Sequence, residues 1–172
     1  PGARIVIKTH PETALGLRKG HFSPVLPDRV SLLTAPVSPW RLLEGAIAVY
    51  SLSSQMGFEA ILAGHRPHVF GQPFYAGWGL TQDENPVPRR RRSLTRTQLF
   101  AAAMILAPTW YDTCRDRLCS FEDAVNQLEA DLRAHREDRF GHVACGMRLW
   151  KRGRLQAVFG GEKPLIFQDN PQ

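Results

Sequence analysis

The stretch from Tyr50 to Phe70 limits the fold of this chain more than any other. A strand ending near Ser51 runs into Ser53-Ser54, and the spacing predicts a helix from Gln55 to Ala63. Gly64 follows as a natural C′ residue, because it enters left-handed backbone without a Cβ penalty. His68 to Phe70 then reads as another short strand. Strand, helix and strand in so few residues make a parallel β-α-β unit. The chain is therefore expected to be α/β, a Rossmann-like parallel sheet flanked by helices. Sheets of that kind take ligands at the carboxyl ends of their strands.

The flanking segments fit this scheme. Arg4 to Lys8 is a β-branched strand that stops at Thr9-His10-Pro11-Glu12, where proline cannot extend a ladder. Val30 to Leu33 is a second short strand. Ser38-Pro39 reads as a helix start, with Trp40, Leu43 and Ile47 on one buried face. From Gly71 to Ser93 no period is visible. Thr95 with Gln98 then reads as a capping box for a helix bearing Leu99, Phe100, Ala103 and Leu106, which Pro108 ends. Ser120 with Asp123 starts another, with Phe121, Val125, Leu128 and Leu132 at helical spacing. Pro164 to Gln168 is a strand candidate. The organisation expected is a core over 1–94, a helical extension packing on it over 95–138, and a basic tail or crossover segment over 139–172.

Composition narrows the function. At 43% apolar and 22% charged, the 172 residues can bury a core, which excludes wholesale disorder and a disulfide miniprotein. No run approaches the ~20 apolar residues of a membrane span. Cys114, Cys119 and Cys145 read as reduced thiols. A zinc set could be assembled from Cys114, Cys119, His135, His142 and Cys145, but the short Cys-x-x-Cys knuckle is missing, so no metal is expected. The net charge is +6. Residues 1–86 carry 7 basic and 6 acidic residues, whereas 87–172 carry 15 and 10. Arg89, Arg90, Arg91 and Arg92 make much of that difference. They are either a solvated patch or a contact for an anionic surface. No aromatic is interleaved and no nucleic-acid motif is present, so nucleic acid is not the expected partner.

Four groups of residues could carry chemistry. Ser53 and Ser54 lie where a strand hands over to a helix; they either cap that helix or offer two hydroxyls to a phosphate. Glu59, on the same helix, is either solvated or an acceptor for ribose hydroxyls. His10 stands at the carboxyl end of a strand, where it either bonds within the turn or meets a phosphate or leaving group. The loop Gln72 to Thr81 brings Phe74, Tyr75 and Trp78 around Gly77. Glycine permits close backbone approach and aromatic faces suit a sugar or base; the alternative is a packed surface loop.

Taken together, Tyr50 to Gly64 and the string Phe70-Gly71-Gln72-Pro73-Phe74-Tyr75-Ala76-Gly77-Trp78-Gly79-Leu80-Thr81 resemble the KpsC/LipA capsule polysaccharide biosynthesis and export family. Lys8-Thr9-His10-Pro11-Glu12 fits that pattern, as does the arginine run followed by Leu99-Phe100-Ala101-Ala102-Ala103. The resemblance is best over residues 4–135. It implies a retaining β-Kdo glycosyltransferase that uses CMP-Kdo as donor, needs no cofactor, and builds a Kdo linker on a phosphatidylglycerol-type glycolipid of Gram-negative capsule. It also implies a GT-B-like enzyme of two Rossmann-type halves, of which this chain resembles the second, nucleotide-binding half. Its His-Pro pair resembles a motif of CMP-sialic-acid transferases.

Carried over, His10 and Pro11 would meet the nucleotide phosphate, Ser53 and Ser54 would cradle it, and Glu59 would lie on the nucleotide side. Gln72, Phe74, Tyr75, Gly77 and Trp78 would form a substrate loop, and Arg89 to Arg92 an anionic contact. A retaining mechanism needs placed carboxylates, and of Glu12, Asp83 and Glu84 none is placed by a motif. The catalytic pair and the acceptor site are therefore expected on a missing N-terminal half, in keeping with a chain that opens Pro1-Gly2-Ala3 without an initiator Met. The implied location is cytoplasmic, peripheral at the inner face of the inner membrane. The rival readings are another GT-B-like nucleotide-sugar enzyme such as an epimerase, and a non-catalytic capsule-export or membrane-surface adaptor.

Overall fold

The computed structural model describes residues 2–22 and 25–169. The chain is α/β, with parallel strand pairs flanked by helices, and divides into two compact units, Pro1–Arg96 and Thr97–Gln172.

In the first unit, β1 (Ile5–Lys8) pairs in parallel with β2 (Val30–Leu33), in the register Ile5↔Val30. The short helix α1 (Pro11–Ala14) lies between them. A second parallel sheet holds β3 (Tyr50–Ser51), β4 (His68–Val69) and β5 (Gln82–Asp83), in that order. Strand β5 falls within the stretch that shows no sequence period; two residues are too few to display one. Helix α2 (Pro39–Glu44) begins at Pro39 as expected, but Ser38 makes no side-chain cap bond. Helix α3 (Met56–Leu62) joins β3 to β4 and ends at Gly64, whose φ of +101° shows why glycine stands there.

The core of this unit is small: Leu43, Phe58, Ala60, Ile61, Val69, Tyr75 and Ala76 are buried, and Pro67 is fully enclosed. Of the expected α2 stripe only Leu43 is buried, while Trp40 and Ile47 are exposed. The helix is a turn and a half long and ends at Glu44, so Ile47 lies past its end. His65 Nε2 donates to the Leu43 carbonyl at 2.8 Å and ties the α3–β4 connection to the end of α2.

Helix α4 (Arg96–Phe100), which begins at the last residue of the first unit, passes into a π-helical segment, Ala101–Leu106, so the single α-helix expected before Pro108 is replaced by two windings. An antiparallel hairpin, β6 (Trp110–Asp112) with β7 (Arg117–Cys119), precedes the long α5 (Phe121–Asp138). The capping box is present: the Asp123 amide donates to Ser120 Oγ at 3.1 Å, and Ser120 Oγ donates to Asp123 Oδ2 at 2.9 Å. Phe121 packs on Phe100 and Trp110. Val125, Leu128 and Leu132, which recur with it at helical spacing, are exposed; Ala124 is the buried residue of α5. The last stretch folds as a third parallel β-α-β unit, β8 (Val143–Cys145), α6 (Leu149–Phe159) and β9 (Ile166–Gln168).

Asp112 secures the hairpin. Its carboxylate accepts from the amides of Cys114 and Arg115, from the Arg115 guanidinium and from Gln127 on α5, all at 3.0–3.1 Å. The Arg115 amide first, and the other donors with it, hold its carboxyl below the usual range against the opposing effect of burial. A group with a lowered native pKa stabilises the fold above its unfolded pKa, and that contribution is lost as pH falls through the native value. Urea midpoints for the hairpin–α5 unit are therefore expected to drop as pH falls from about 5 to about 2. Asp112→Asn is expected to lower the midpoint at neutral pH and flatten that acid limb. An unchanged acid limb in the variant would remove Asp112 from the account.

Candidate functional site

The turn from β3 into α3 is organised from beneath by a residue of the aromatic–glycine loop. Tyr75 is completely buried, and its phenol donates to the Ser54 carbonyl at 2.6 Å. A phenol has one proton, so at the 3.2 Å contact with Ser51 Oγ the serine is the donor. Burial raises the Tyr75 pKa, and the Ser51 contact opposes that rise. Gly57, on the first turn of α3, is where the ring passes: a Cβ there would run into the Tyr75 phenol. Gly71 makes the equivalent close approach at the end of β4, where a Cβ would lie 2.5 Å from the Leu52 carbonyl oxygen. Ser53 and Ser54 are left exposed above this bolt. Ser54 Oγ accepts the Met56 amide at 3.3 Å, which keeps its own proton free to donate outward.

The loop itself is closed by its own chain. Trp78 Nε1 donates to the Phe74 carbonyl at 2.8 Å, and the Gly77 amide donates to Asp83 Oδ2 at 3.0 Å. Arg90 Nη1 donates to the carbonyls of Pro73 and Ala76, at 2.5 and 2.7 Å. The Arg90 guanidinium lies over the Trp78 ring, and its stem fills the space a Cβ on Gly77 would need, 3.2 Å away. Gly77 has a φ of +82°, a second reason for glycine there. Of the five loop residues singled out in the sequence, Gln72 and Phe74 are exposed and Trp78 and Gly77 partly so. Tyr75 offers no surface and works on the Ser51–Ser54 turn instead. Gln72 reaches the Asn85 carbonyl at 3.3 Å, and Phe74 packs against Phe58 and edge-on to Tyr75.

The four arginines do not act as one patch. Arg90 is part-buried and belongs to the loop, whereas Arg89, Arg91 and Arg92 are exposed, with Arg91 Nε bonded to the Pro88 carbonyl at 3.1 Å. Sequence reading missed Arg90 because nothing in a run of identical residues marks the one that turns inward. It also missed the exposed face of β3–β4, where Tyr50, His68 and Phe70 stack at 5.6 and 5.5 Å. The i, i+2 spacing of His68 and Phe70 was the available signal.

His10 stands where expected, just past the carboxyl end of β1, and caps α1. The Glu12 amide donates to His10 Nδ1 at 3.3 Å. A ring that accepts at Nδ1 carries its proton on Nε2, which is left as a donor. Pro11 occupies the first position of α1. Glu59 is half-buried on α3 and forms no ion pair among the described residues, and burial raises its carboxyl pKa. Of the three carboxylates weighed for catalysis, two are engaged: Asp83 holds the loop amide and Glu84 pairs with His68 Nε2 at 2.7 Å. Glu12 is exposed, its carboxylate 3.6 Å from His10 Nδ1. Thr81 Oγ1 just before β5, Asp83 Oδ1 on it and Thr9 Oγ1 just past β1 are buried without partners among the described residues. Among the described residues no group of three or more His, Cys, Asp or Glu is placed to hold a metal. Of the residues weighed for zinc, His142 bonds Asp138 at 2.6 Å and His135 pairs with Glu162 at 3.0 Å, while Cys114, Cys119 and Cys145 are free thiols.

Known proteins are similar to this chain. A family described as "Capsule polysaccharide biosynthesis protein" matches residues 1–109. The capsule polysaccharide modification protein LipA of Neisseria meningitidis serogroup B is 36% identical over 167 residues, covering 92% of this chain and 24% of LipA. The lipopolysaccharide-processing protein LpsZ of Rhizobium meliloti is 39% identical over 129 residues, 74% of this chain and 29% of LpsZ. Among solved structures, Thermosulfurimonas dismutans KpsC, a β Kdo 2,4 transferase, superposes with a TM-score of 0.69 at 40% identity, over 74% of this chain and 40% of that one. The β Kdo 2,7 transferase of the same organism gives 0.59 at 31% identity, over 77% and 42%. The chain spans about a quarter of the length of the LipA relative.

Proposed function

The chain belongs to the capsule polysaccharide biosynthesis family, and from that membership we propose that it is the donor-holding part of a β-Kdo glycosyltransferase, binding CMP-Kdo. The observation that carries this reading is the 40% identity to a β Kdo 2,4 transferase over 74% of the chain. The site supplies suitable chemistry. Ser53 and Ser54 present hydroxyls on a turn held by Tyr75, so their positions are set before any ligand arrives. Hydroxyl donors to an ionised phosphate are among the stronger hydrogen bonds. His10, with its Nε2 proton free, adds a neutral donor from the end of β1. Exposed Phe74 offers a ring face for the base or sugar.

The same reading assigns glycosyl transfer elsewhere. A retaining displacement needs a carboxylate placed at the anomeric carbon; Asp83 and Glu84 are held by local partners, and exposed Glu12 is placed by no motif. The acceptor, a phosphatidylglycerol-type glycolipid at the inner membrane, is expected to meet the greater part of the relatives' length, which these residues do not span.

Titrating CMP and UDP against the 172-residue chain is expected to shift the amides of Ser53 and His10 with CMP and leave them nearly still with UDP. Ser53→Ala with Ser54→Ala is expected to weaken CMP roughly tenfold or more, the loss of charge-assisted bonds. Equal or tighter UDP binding would favour a different nucleotide-sugar enzyme. Turnover of CMP-Kdo by the isolated chain would sink the division between donor binding and catalysis.

A further inference from the structure

The turn over residues 73–76 is held at both ends by one side chain. The Ala76 amide closes it on the Pro73 carbonyl at 3.2 Å. Arg90 Nη1 donates to that same Pro73 carbonyl and to the Ala76 carbonyl, at 2.5 and 2.7 Å. Two carbonyls that share one cationic donor cannot part without losing a charge-assisted bond. The arginine is itself fixed. Its guanidinium lies 5.6 Å from the Trp78 ring centroid, and the Trp78 indole is tied to the Phe74 carbonyl at 2.8 Å.

The third residue of this turn is Tyr75. Its phenol crosses to the Ser54 carbonyl, which also accepts the Gly57 amide at 3.0 Å. That oxygen is therefore where the loop and the first turn of α3 meet. Tyr75 has no exposed surface, and Gly57 leaves no free space beside its ring. A close-packed ring passes on a displacement of its backbone instead of absorbing it. A shift of the turn must therefore reach Ser54.

We propose that Arg90 is a positioning residue for the donor phosphate, acting on Ser53 and Ser54 through Tyr75. This rests on the reading of those two serines as the phosphate cradle. Among the described residues Arg90 has no hydrogen bond to either serine and no ion pair; its bonds go to neutral carbonyls. Its shape therefore matters here more than its charge. A lysine keeps the charge but not the planar group over Trp78 or the same reach. The other arginines of the run make no contact of this kind, since Arg91 bonds only the nearby Pro88 carbonyl.

The test is a double-variant cycle read by calorimetric titration of CMP into the 172-residue chain. Arg90→Lys should weaken CMP about fivefold or more at unchanged charge. Tyr75→Phe should weaken it by a similar factor. In the Tyr75→Phe background, Arg90→Lys should change affinity less than about twofold, because the link is already cut. Millimolar methylguanidinium should restore most of the affinity of Arg90→Ala and leave the unaltered chain unchanged. Far-ultraviolet circular dichroism checks that each variant keeps its fold.

The carbon-13 shift of the Ser54 carbonyl reads the same link without nucleotide. Arg90→Lys should move it most of the way to its Tyr75→Phe position. Additive losses in the cycle, a Ser54 signal unmoved by Arg90→Lys, or no rescue by methylguanidinium would each overturn the proposal. A chain that takes up no CMP, yet whose Ser54 carbonyl responds to Arg90→Lys, refutes the donor reading and leaves the link from Arg90 to the turn standing.

Discussion

Gly57→Ala is expected to destabilise the first unit by about 3 kcal/mol, a large effect for one methyl group. The added Cβ would collide with the phenol end of Tyr75, a ring with no exposed surface and no room to retreat. Moving the ring would also release the Ser54 carbonyl and Ser51 Oγ, two polar groups it now satisfies. Overpacking costs about 1–3 kcal/mol and each orphaned group adds about 1–3 kcal/mol, of which relaxation recovers a part. Urea unfolding measures the loss. Tyr75→Phe separates the contributions, since it removes the hydroxyl alone. The double variant Gly57→Ala, Tyr75→Phe should then be less unstable than the two single losses predict when added. Strict additivity would mean that Gly57 and the phenol do not meet.

Arg90→Lys is expected to loosen the aromatic–glycine loop almost as much as Arg90→Ala, by about 2 kcal/mol. One guanidinium nitrogen holds two carbonyls while the planar group lies over Trp78. An ammonium is a point donor that neither stacks in that manner nor keeps the same reach. The readout is amide exchange at Gly77 and Leu94, whose hydrogen bonds to Asp83 and to the Trp78 carbonyl close the loop. Arg89→Lys and Arg91→Lys serve as controls and should leave that exchange unchanged. If all three behave alike, the arginines form the undifferentiated patch their sequence suggests.

The β3–α3–β4 unit was readable because its signals are local. A strand ending near Ser51, a helix-length run and a C′ glycine lie within a few residues of each other, and all three fall close to where expected. The Ser120–Asp123 box was readable for the same reason. The interior of the loop was not. The contact of Tyr75 with Ser54 crosses 21 residues and that of Arg90 with Pro73 crosses 17. No periodicity connects partners so far apart, so Tyr75 looked like a ligand-facing ring and Arg90 like surface charge. The apolar stripe of α5 misled in the opposite way. Helical spacing says which residues share a face, but whether another element covers that face depends on distant chain. Here Leu128 and Leu132 stay exposed.

The cap on α1 sets what His10 can do with a proton. A ring that accepts the Glu12 amide at Nδ1 is neutral, and its remaining proton, on Nε2, can be shared with a phosphate but not surrendered without leaving an imidazolate. To act as a general acid the ring must first take up a second proton, at Nδ1. That proton would evict the Glu12 amide and turn the ring towards the Glu12 carboxylate, 3.6 Å away. Proton donation and helix capping are therefore mutually exclusive states of one side chain.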